Sequence, residues 1–230
     1  MVRYAKLPIG FNQKNMQTEL LSLKDAAWQA HFNTYYYEGS WTALALRSPG
    51  GSGDNIIPDI MAGADYGDTI LMQHFPSVTE LLSRIKCQVM SVRFLNLQAG
   101  AVIKPHRDKE LAFEKGEARL HFTVITNPQV SFFIENEQIP LNEGDCWYIN
   151  ANLPHSVSNP GATDRMHLVV DCKVNDWLAG LINSSQQMSV KEDAVDNNEL
   201  LAIIKQLRLQ NTDTANKLAL ELEKQLKNHD

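Results

Sequence analysis

Between residues 86 and 173 the chain consists of short segments rich in Val, Ile, Phe and Thr, separated by turn-forming residues. The segments span residues 88–98, 118–126, 130–135, 145–150 and 165–171. The residues that separate them include Pro105, Asn127–Pro128, Asn142–Gly144 and Asn159–Gly161. Short apolar segments at this pacing are typical of strands in a β-sandwich or barrel. We therefore predict a mainly β core over residues 86–173.

Helical periodicity lies on both sides of this β zone. Residues 14–31 place Leu20, Leu23 and other apolar residues at helical spacing, and a second helix is expected over 77–85 with Ser77 as its cap. After the β zone, residues 197–210 and 213–227 each carry one apolar face. We expect a domain over residues 1–175 with N-terminal helices. Residues 176–230 would form a C-terminal helical appendage, either packed or in a homo-oligomer contact.

Composition excludes several classes of protein. The 230 residues carry a net charge of −6 and show no cluster of Lys and Arg, which argues against nucleic acid and anionic membranes as partners. Cys87, Cys146 and Cys172 form neither a paired framework nor a CxxC zinc motif, as expected for reduced thiols. The N-terminus lacks an apolar signal region, and no apolar run reaches membrane-spanning length. We therefore expect a soluble cytoplasmic protein.

Two histidines and a carboxylate in the β zone have the spacing of an iron site. His106 and Asp108 are two residues apart, so their side chains point the same way from an extended segment. His155 follows 49 residues later, which suits a return strand that comes back beside the first. Two imidazoles and one carboxylate on one face leave three positions of an octahedral iron(II) open. We interpret these three residues as catalytic iron ligands.

Basic residues accompany this candidate site. Arg165, ten residues after His155, could pair its planar guanidinium with the far carboxylate of a bound 2-oxoglutarate. Arg119 and His121 share one face of a strand, and so do Arg165 and His167. Because an unpaired buried charge is costly, a bound dianion would account for them. The alternatives are a core histidine for His121, a structural salt bridge for Arg119 and a supporting contact for His167.

The block from 105 to 171 resembles the aspartyl/asparaginyl β-hydroxylase family, including bacterial relatives that hydroxylate free proline. The resemblance rests on PHRD (105–108), RLHF (119–122), EGDCWYINANLPHSVSN (143–159) and DRMHLVVD (164–171). It implies a cupin-like double-stranded β-helix, or jelly roll, that uses iron(II), 2-oxoglutarate and O2. By this resemblance His106 and His155 bind iron, whereas His121 and Arg165 bind 2-oxoglutarate. Arg119 would contact the co-substrate or a substrate carboxylate.

Two departures from the family pattern bear on the site. Animal members have glycine where this chain has Asp108, so the ligand triad is complete here, as in the proline-hydroxylating relatives. A co-substrate-binding serine of the animal members aligns with Leu95, and the neighbouring Asn96 is expected to compensate.

The reaction expected from the resemblance is hydroxylation of an unactivated C–H bond in a free amino acid or small derivative. The alternatives are an Asp or Asn residue in a peptide or protein, another metal-dependent cupin enzyme, and a non-catalytic cupin-like binding protein. Trp41 and Arg47 are candidate substrate contacts, with a core tryptophan and a surface arginine as the alternative readings.

Overall fold

The structure, a computed structural model, describes residues 1–23, 28–57, 65–108, 111–191 and 197–227. The strands are β1 (Val2–Leu7), β2 (Gln29–Ala30), β3 (Tyr37–Glu38), β4 (Trp41–Pro49), β5 (Tyr66–Asp68), β6 (Val89–Leu97), β7 (Val102–His106), β8 (Glu117–Ile125), β9 (Ser131–Ile134), β10 (Glu137–Gln138), β11 (Cys146–Ile149), β12 (His155–Ser158), β13 (Arg165–Lys173) and β14 (Met188–Val190). The helices are α1 (Gln13–Ser22), α2 (Pro76–Arg84), α3 (Asp176–Asn183), α4 (Asn197–Gln210) and α5 (Asp213–Lys227). Across these described ranges no helix has the length and apolar character needed to cross a bilayer.

The strands form two antiparallel sheets. The larger sheet has the order β14-β1-β11-β8-β13-β6-β4-β2, with β5 paired to β4, and the smaller has the order β10-β9-β12-β7-β3. Most neighbours along the sheets are distant along the chain, because the strands wind back and forth between the two sheets. This is a cupin-like double-stranded β-helix, and the predicted fold class is confirmed.

Both faces of the larger sheet are buried. On β6, Val92 and Phe94 face a cluster that includes residues of α1, α2 and α3, whereas Leu95 and Leu97 face a second cluster shared with the smaller sheet. Because adjacent residues of a strand point to opposite faces, burial on both sides requires a nearly continuous apolar run. That requirement explains the sequence of β6, and it makes a charged residue such as Arg93 in this strand conspicuous.

All five strands predicted in the β zone are present, as β6, β8, β9, β11 and β13. Strands β7 and β12, which lie in the smaller sheet, were not among the predicted apolar segments, although the ligand spacing led us to expect an extended segment at His106 and a return strand at His155. These strands are short and carry polar residues, so neither shows a clear apolar alternation. They are the strands that carry the candidate histidine ligands.

Both predicted N-terminal helices differ in detail from the structure. The helix expected over 14–31 ends at Ser22, and residues 29–30 instead pair with β4 as strand β2. Sheet pairing thus overrides the helical periodicity there; residues 24–27 lie outside the described part of the chain. Helix α2 begins at Pro76, and Ser77 does not cap it. Instead the Glu19 carboxylate of α1 accepts hydrogen bonds from the Ser77 backbone N–H, at 3.1 Å, and from its hydroxyl.

The compact β unit extends from Val2 to Val190, beyond the boundary at residue 175 that the sequence suggested. Leu178 and Ile182 of α3 are fully buried in the cluster on the outer face of the larger sheet. Strand β14 then pairs with β1 and closes the edge of that sheet. The chain therefore completes the β unit before it enters the C-terminal helices.

The second compact unit contains Met1 and residues 191–230, and its described helices are α4 and α5. Both helices lie where the periodicity predicted them. Leu200, Ile204 and Ala219 form their shared core, and the Thr212 hydroxyl caps α5 by accepting a hydrogen bond from the Ala215 N–H at 3.2 Å. Whether this unit makes a homo-oligomer contact stays a prediction.

Candidate metal centre and cavity

The predicted iron ligands meet where β7 and β12 pair. His106 is the last residue of β7, His155 is the first of β12, and the two are direct cross-strand partners with ring centroids 4.3 Å apart. Asp108 follows β7, where its backbone N–H bonds to the Ala151 carbonyl at 2.9 Å. One ligand atom from each of the three side chains lies within 4.8 Å of the others. The structure therefore brings the predicted triad together.

Backbone carbonyls orient both imidazoles. His106 Nδ1 lies 2.9 Å from the Lys104 carbonyl oxygen, and His155 Nδ1 lies 3.0 Å from that of Leu153. Each Nδ1 must carry the proton to donate to a carbonyl, so each Nε2 keeps its lone pair. Burial, with a further contribution from the His106 charge, lowers the pKa of His155 to about 4. That side chain is therefore neutral at physiological pH, as metal binding requires.

The third ligand is held by a buried ion-pair network. Arg119 donates through Nη1 to Asp108 and through Nε and Nη2 to Asp171, at 2.7 and 3.0 Å. Arg93 donates to Asp171 at 2.8 Å, and the Ser91 hydroxyl adds a bond of 2.8 Å. Burial raises the pKa of Asp108, but the charge of Arg119 and its neighbours holds it below its usual value. Asp108 is therefore an anion, as an iron ligand should be.

Arg165 has a different environment from Arg119. Its side chain is only 2% exposed, and its Nη2 lies 2.8 Å from His167 Nδ1. Among the described residues no carboxylate pairs with it, and its Nε lacks an acceptor. Burial alone lowers its pKa to about 9, so it stays charged near pH 7. A buried cation without an anionic partner is costly, which indicates that an anion binds here.

Other polar atoms near Arg165 are also unsatisfied. His121 Nδ1, Thr123 Oγ1 and His167 Nε2 are buried and lack partners within the part of the chain that the structure describes. Burial, followed by the charge of Arg165, lowers the pKa of His121 and His167 well below the usual value, so both are neutral. Neutral imidazoles and a hydroxyl are suitable donors to a carboxylate. This end of the site fits the co-substrate that the sequence implied.

One cavity of about 330 Å³ connects the triad with Arg165. Phe132 lies between them, stacked at 6.1 Å on His155 and 5.7 Å from the Arg165 guanidinium carbon. Trp41, a predicted substrate contact, is buried in the wall, with its ring centroid 6.1 Å from that of His106. Arg47, the other predicted contact, does not line this cavity. It pairs with Asp68 at 2.7 Å and with the Tyr66 carbonyl, because its strand bulges between Ala45 and Arg47.

Sequence analysis missed three residues of this site. Arg93 lines the cavity as a buried charge on an apolar strand, and that exception in the pattern could have revealed it. Asp171 has no local signal, because its role depends on its pairing with Arg119 across β13 and β8. His31, which no motif in the sequence singles out, stacks on Trp41 with ring centroids 3.5 Å apart.

The structure differs from the sequence expectations for Arg119 and Asn96. Each nitrogen of the Arg119 guanidinium donates to a carboxylate of the protein, so the structure contains the salt bridge that the sequence left as the alternative. Asn96 does not face the cavity beside Leu95. It follows Leu95 on the strand and therefore points the other way, where its amide donates to Asp164 at 3.0 Å.

The donor set suits iron(II). Two imidazole nitrogens and a carboxylate oxygen are the ligands of non-haem iron enzymes that leave coordination positions open. Cys87, Cys146 and Cys172 do not line the cavity, so a thiolate zinc site has no ligands here. Arg165 is buried and unpaired at the far end of the same cavity. Its charge suits the second anionic group of a ligand whose other end chelates the metal.

Comparison with known proteins agrees with this site. The model of the aspartyl/asparaginyl beta-hydroxylase family matches residues 11–174. The chain belongs to this family. An L-proline cis-4-hydroxylase from Rhizobium meliloti (strain 1021) is 25% identical over 190 residues, which cover 82% of this chain and 67% of that protein. Family membership and the triad of His106, Asp108 and His155 together identify this protein as a 2-oxoglutarate-dependent hydroxylase that uses iron(II) and O2.

Two solved structures align with a large part of this chain. A prolyl-4-hydroxylase from Pseudomonas putida aligns with a TM-score of 0.46 and 10% identity, covering 76% of this chain and 94% of that chain. An oxidoreductase of the 2OG-Fe(II) oxygenase family from Burkholderia pseudomallei aligns with the same TM-score, 0.46, and 10% identity, covering 69% and 79%.

Proposed function

We propose that this enzyme hydroxylates an unactivated C–H bond of a free amino acid or of a small molecule derived from one. The observation that carries the proposal is the buried, unpaired Arg165 in the same cavity as the His106, Asp108 and His155 triad. A dianionic chelating co-substrate satisfies both ends of that cavity at once. The space left in the cavity beside the co-substrate favours a small substrate, because the whole cavity has a volume of about 330 Å³, which is near the lower limit for ligand pockets.

Each ligand of the triad has a defined task in this proposal. His106 and His155 would bind iron(II) through Nε2, since their Nδ1 atoms face backbone carbonyls. Asp108 would bind through the carboxylate oxygen that Arg119 leaves free, Oδ1, which lies 3.9 Å from His106 Nε2. Bound iron(II) supplies the activation of O2, coupled to oxidative decarboxylation of 2-oxoglutarate to succinate.

Arg165 and His121 would bind the far carboxylate of 2-oxoglutarate. The planar guanidinium of Arg165 suits a carboxylate, and His121 Nδ1, which has no hydrogen-bond partner among the described residues, suits a second hydrogen bond to it. His167 would hold the Arg165 guanidinium in position through the 2.8 Å contact between Arg165 Nη2 and His167 Nδ1. Because these groups lie among apolar residues, each contact with an anion is stronger than it would be in water.

The apolar walls would protect the reaction from solvent. Leu95, Ile103, Phe132 and Ile149 line the cavity around the polar groups. A dry cavity keeps water away from the target C–H bond and fixes the position of the substrate carbon. The protein therefore contributes orientation and exclusion of water, and the metal contributes the oxidation.

A second candidate substrate is an Asp or Asn side chain in a peptide or protein. The description of the matching family favours it. The curated relative, whose name specifies L-proline, favours the free amino acid instead. A substrate screen must therefore contain both classes.

The test begins with anaerobic protein, iron(II) and 2-oxoglutarate. We expect the weak visible absorption band of the iron(II)–2-oxoglutarate chelate only when both are present. His106→Ala should abolish it, and Arg165→Ala should require at least about tenfold more 2-oxoglutarate. Arg84→Ala, an exposed arginine on α2, is the matched control and should behave as wild type.

Admission of O2 then completes the experiment. Succinate release by the wild type becomes the assay for a panel of free amino acids, Asp- and Asn-containing peptides and their derivatives. Stimulation by a free amino acid supports the proposed substrate class, whereas stimulation by peptides alone favours the second candidate. A folded wild type that gives neither the band nor succinate contradicts the proposal altogether.

A further inference from the structure

The C-terminal unit is a helical hairpin with a very small core. Asn211 and Thr212 join α4 to α5, and so short a connection makes the two helices antiparallel neighbours. The apolar side chains that are buried in its described part are Leu200, Ile204, Ala215 and Ala219. Two of these are alanines, whose burial contributes much less than that of a leucine or isoleucine. The packing between α4 and α5 therefore stabilises the hairpin only weakly.

A unit of this size needs a further source of stability. Units below about 40 residues usually require a disulfide, a bound metal or association with another chain. Residues 191–230 contain no cysteine, and within their described part no group of side chains is placed to hold a metal. Association with another chain is the one of these three sources that remains.

The two open faces of the hairpin differ in chemistry. On one face the Arg208 guanidinium donates to the Glu223 carboxylate at 3.0 Å and to the Asn216 side chain at 3.2 Å. An α-helix turns about 100° per residue, so Ile203 lies about 140° around α4 from Arg208. Leu218 lies at the same angle around α5 from Glu223. Ile203 and Leu218 therefore share the opposite face, where they are 43% and 46% exposed.

Apolar residues on that side repeat with the spacing of helices in a bundle. They are Leu200, Ile203, Ile204 and Leu207 in α4, and Ala215, Leu218, Ala219, Leu222 and Leu226 in α5. These are positions a, d and e of a heptad, a stripe wide enough for each helix to contact two neighbours. In the hairpin each helix has one neighbour, which buries Ile204 and Ala219 and leaves Ile203 and Leu218 exposed to solvent.

A second copy of the same chain fits this face. None of the residues in the apolar repeat is charged, so two copies can meet there without burying a charge or opposing like charges. A two-fold dimer uses the same patch on both copies and therefore needs a self-complementary surface of this kind. Two hairpins related by a two-fold axis place four helices around one core, for which the a, d and e pattern is typical.

We propose that the protein is a homodimer in which the faces containing Ile203 and Leu218 of two copies join into a four-helix bundle. The ion pair of Arg208 and Glu223 stays outside the interface. The 15 residues of α5 span about 22 Å, and two helices side by side are about as wide, so the pair buries on the order of 1,000 Å². This area is near the lower limit for a specific interface, so the dimer should dissociate on dilution. The proposal does not depend on the proposed function.

Sedimentation velocity of the full chain between about 1 and 100 µM tests the proposal. We expect a species with twice the mass of one chain, replaced by the monomer on dilution. Ile203→Ala retains helix propensity and removes two buried side chains per dimer, so it should raise the dimer dissociation constant at least about tenfold. Leu209→Ala is the matched control, because Leu209 is 71% exposed and lies about 180° around α4 from Leu200. It should leave the dissociation constant unchanged.

Charged substitutions make the test stricter. Ile203→Glu and Leu218→Glu each place two unpaired carboxylates in the interface and should give monomers over the whole concentration range. Leu209→Glu should remain dimeric. A cooperative urea transition for each variant, carried by the β unit, distinguishes loss of the dimer from general unfolding.

Four outcomes overturn the proposal. A wild type that stays monomeric would leave this face to a different protein, and a wild type of more than two chains would exclude the four-helix bundle. A dimer that survives Ile203→Glu and Leu218→Glu must form through another surface. Equal weakening by Ile203→Ala and Leu209→Ala would show that the face containing Ile203 has no special part in association.

Discussion

At the scale of single residues, the three buried arginines of the cavity differ in what balances their charge. Arg119 pairs with Asp108 and Asp171, Arg93 shares Asp171, and Arg165 has no carboxylate within the described residues. A paired arginine positions other groups, whereas an unpaired one needs a ligand. In the proposed function, this difference gives Arg119 the role of holding the metal ligand Asp108 and gives Arg165 the role of binding the co-substrate.

Replacing Asp171 should destabilise the protein strongly. Asp171→Asn leaves Arg93 and Arg119 buried with one anion fewer between them, and breaking a buried pair costs about 3–5 kcal/mol. We expect a loss of this size in the free energy of unfolding at pH 7, measured by urea denaturation. A loss below about 1 kcal/mol would show that the network is not what stabilises this region.

The same variant should show a specific pH dependence. Burial raises the pKa of Asp171, but Arg119 and Arg93 outweigh it and lower the pKa from 3.8 to about 2. A carboxyl whose pKa is lower in the folded state stabilises the protein above its ordinary pKa and loses this effect as pH falls. The stability difference between wild type and Asp171→Asn should therefore shrink as pH falls from about 4 towards 2. A difference that is independent of pH would contradict the assignment.

Arg119→Gln should weaken metal binding. The glutamine cannot hold Asp108 as the guanidinium does, and losing such a supporting contact typically costs about 10–100-fold in metal affinity. Calorimetric titration of the apo protein with iron(II) under anaerobic conditions measures the dissociation constant directly. Arg165→Gln is the matched control and should bind the metal like wild type; equal affinities for Arg119→Gln and wild type would disprove the positioning role.

At the scale of elements, the sequence predicted the strands whose burial leaves a clear pattern. Strands such as β6 and β13 are buried on both faces and read as long apolar runs. Strands β7 and β12 are short, and their ends carry polar ligands, so they leave no apolar pattern and were expected only from the spacing of the ligands. The Asp171 network depends on the register between β13, β8 and β6, which local sequence does not specify.

The contact between α1 and α2 is an example of capping that sequence patterns do not show. Glu19 of α1 accepts from the backbone N–H of Ser77 in the first turn of α2, a task that a local capping residue usually performs. Glu19→Ala should lower the free energy of unfolding by about 1 kcal/mol. Urea denaturation measures this loss, and Glu80→Ala, a substitution at an exposed residue of α2, is the control. Equal stabilities would mean that the Glu19 contact contributes nothing.

At the scale of the whole molecule, the described residues of the site belong to the β unit. Each residue that is described as lining the cavity lies between Val2 and Val190, whereas the second unit comprises Met1 and residues 191–230. A chain ending after Val190 should therefore unfold cooperatively and form the same iron(II)–2-oxoglutarate band as the full chain. Loss of the band in a truncated protein that is still folded would show that residues 191–230 contribute to the site.

The central claim is that one cavity binds a metal at the triad and an anion at Arg165. The most direct test is a crystal structure of the full chain with manganese(II), which replaces iron(II) without oxidation, and 2-oxoglutarate. The account predicts anomalous density bound by His106 Nε2, His155 Nε2 and Asp108, with the far carboxylate of 2-oxoglutarate on Arg165. Metal bound elsewhere, or a co-substrate that leaves Arg165 without a partner, would contradict it.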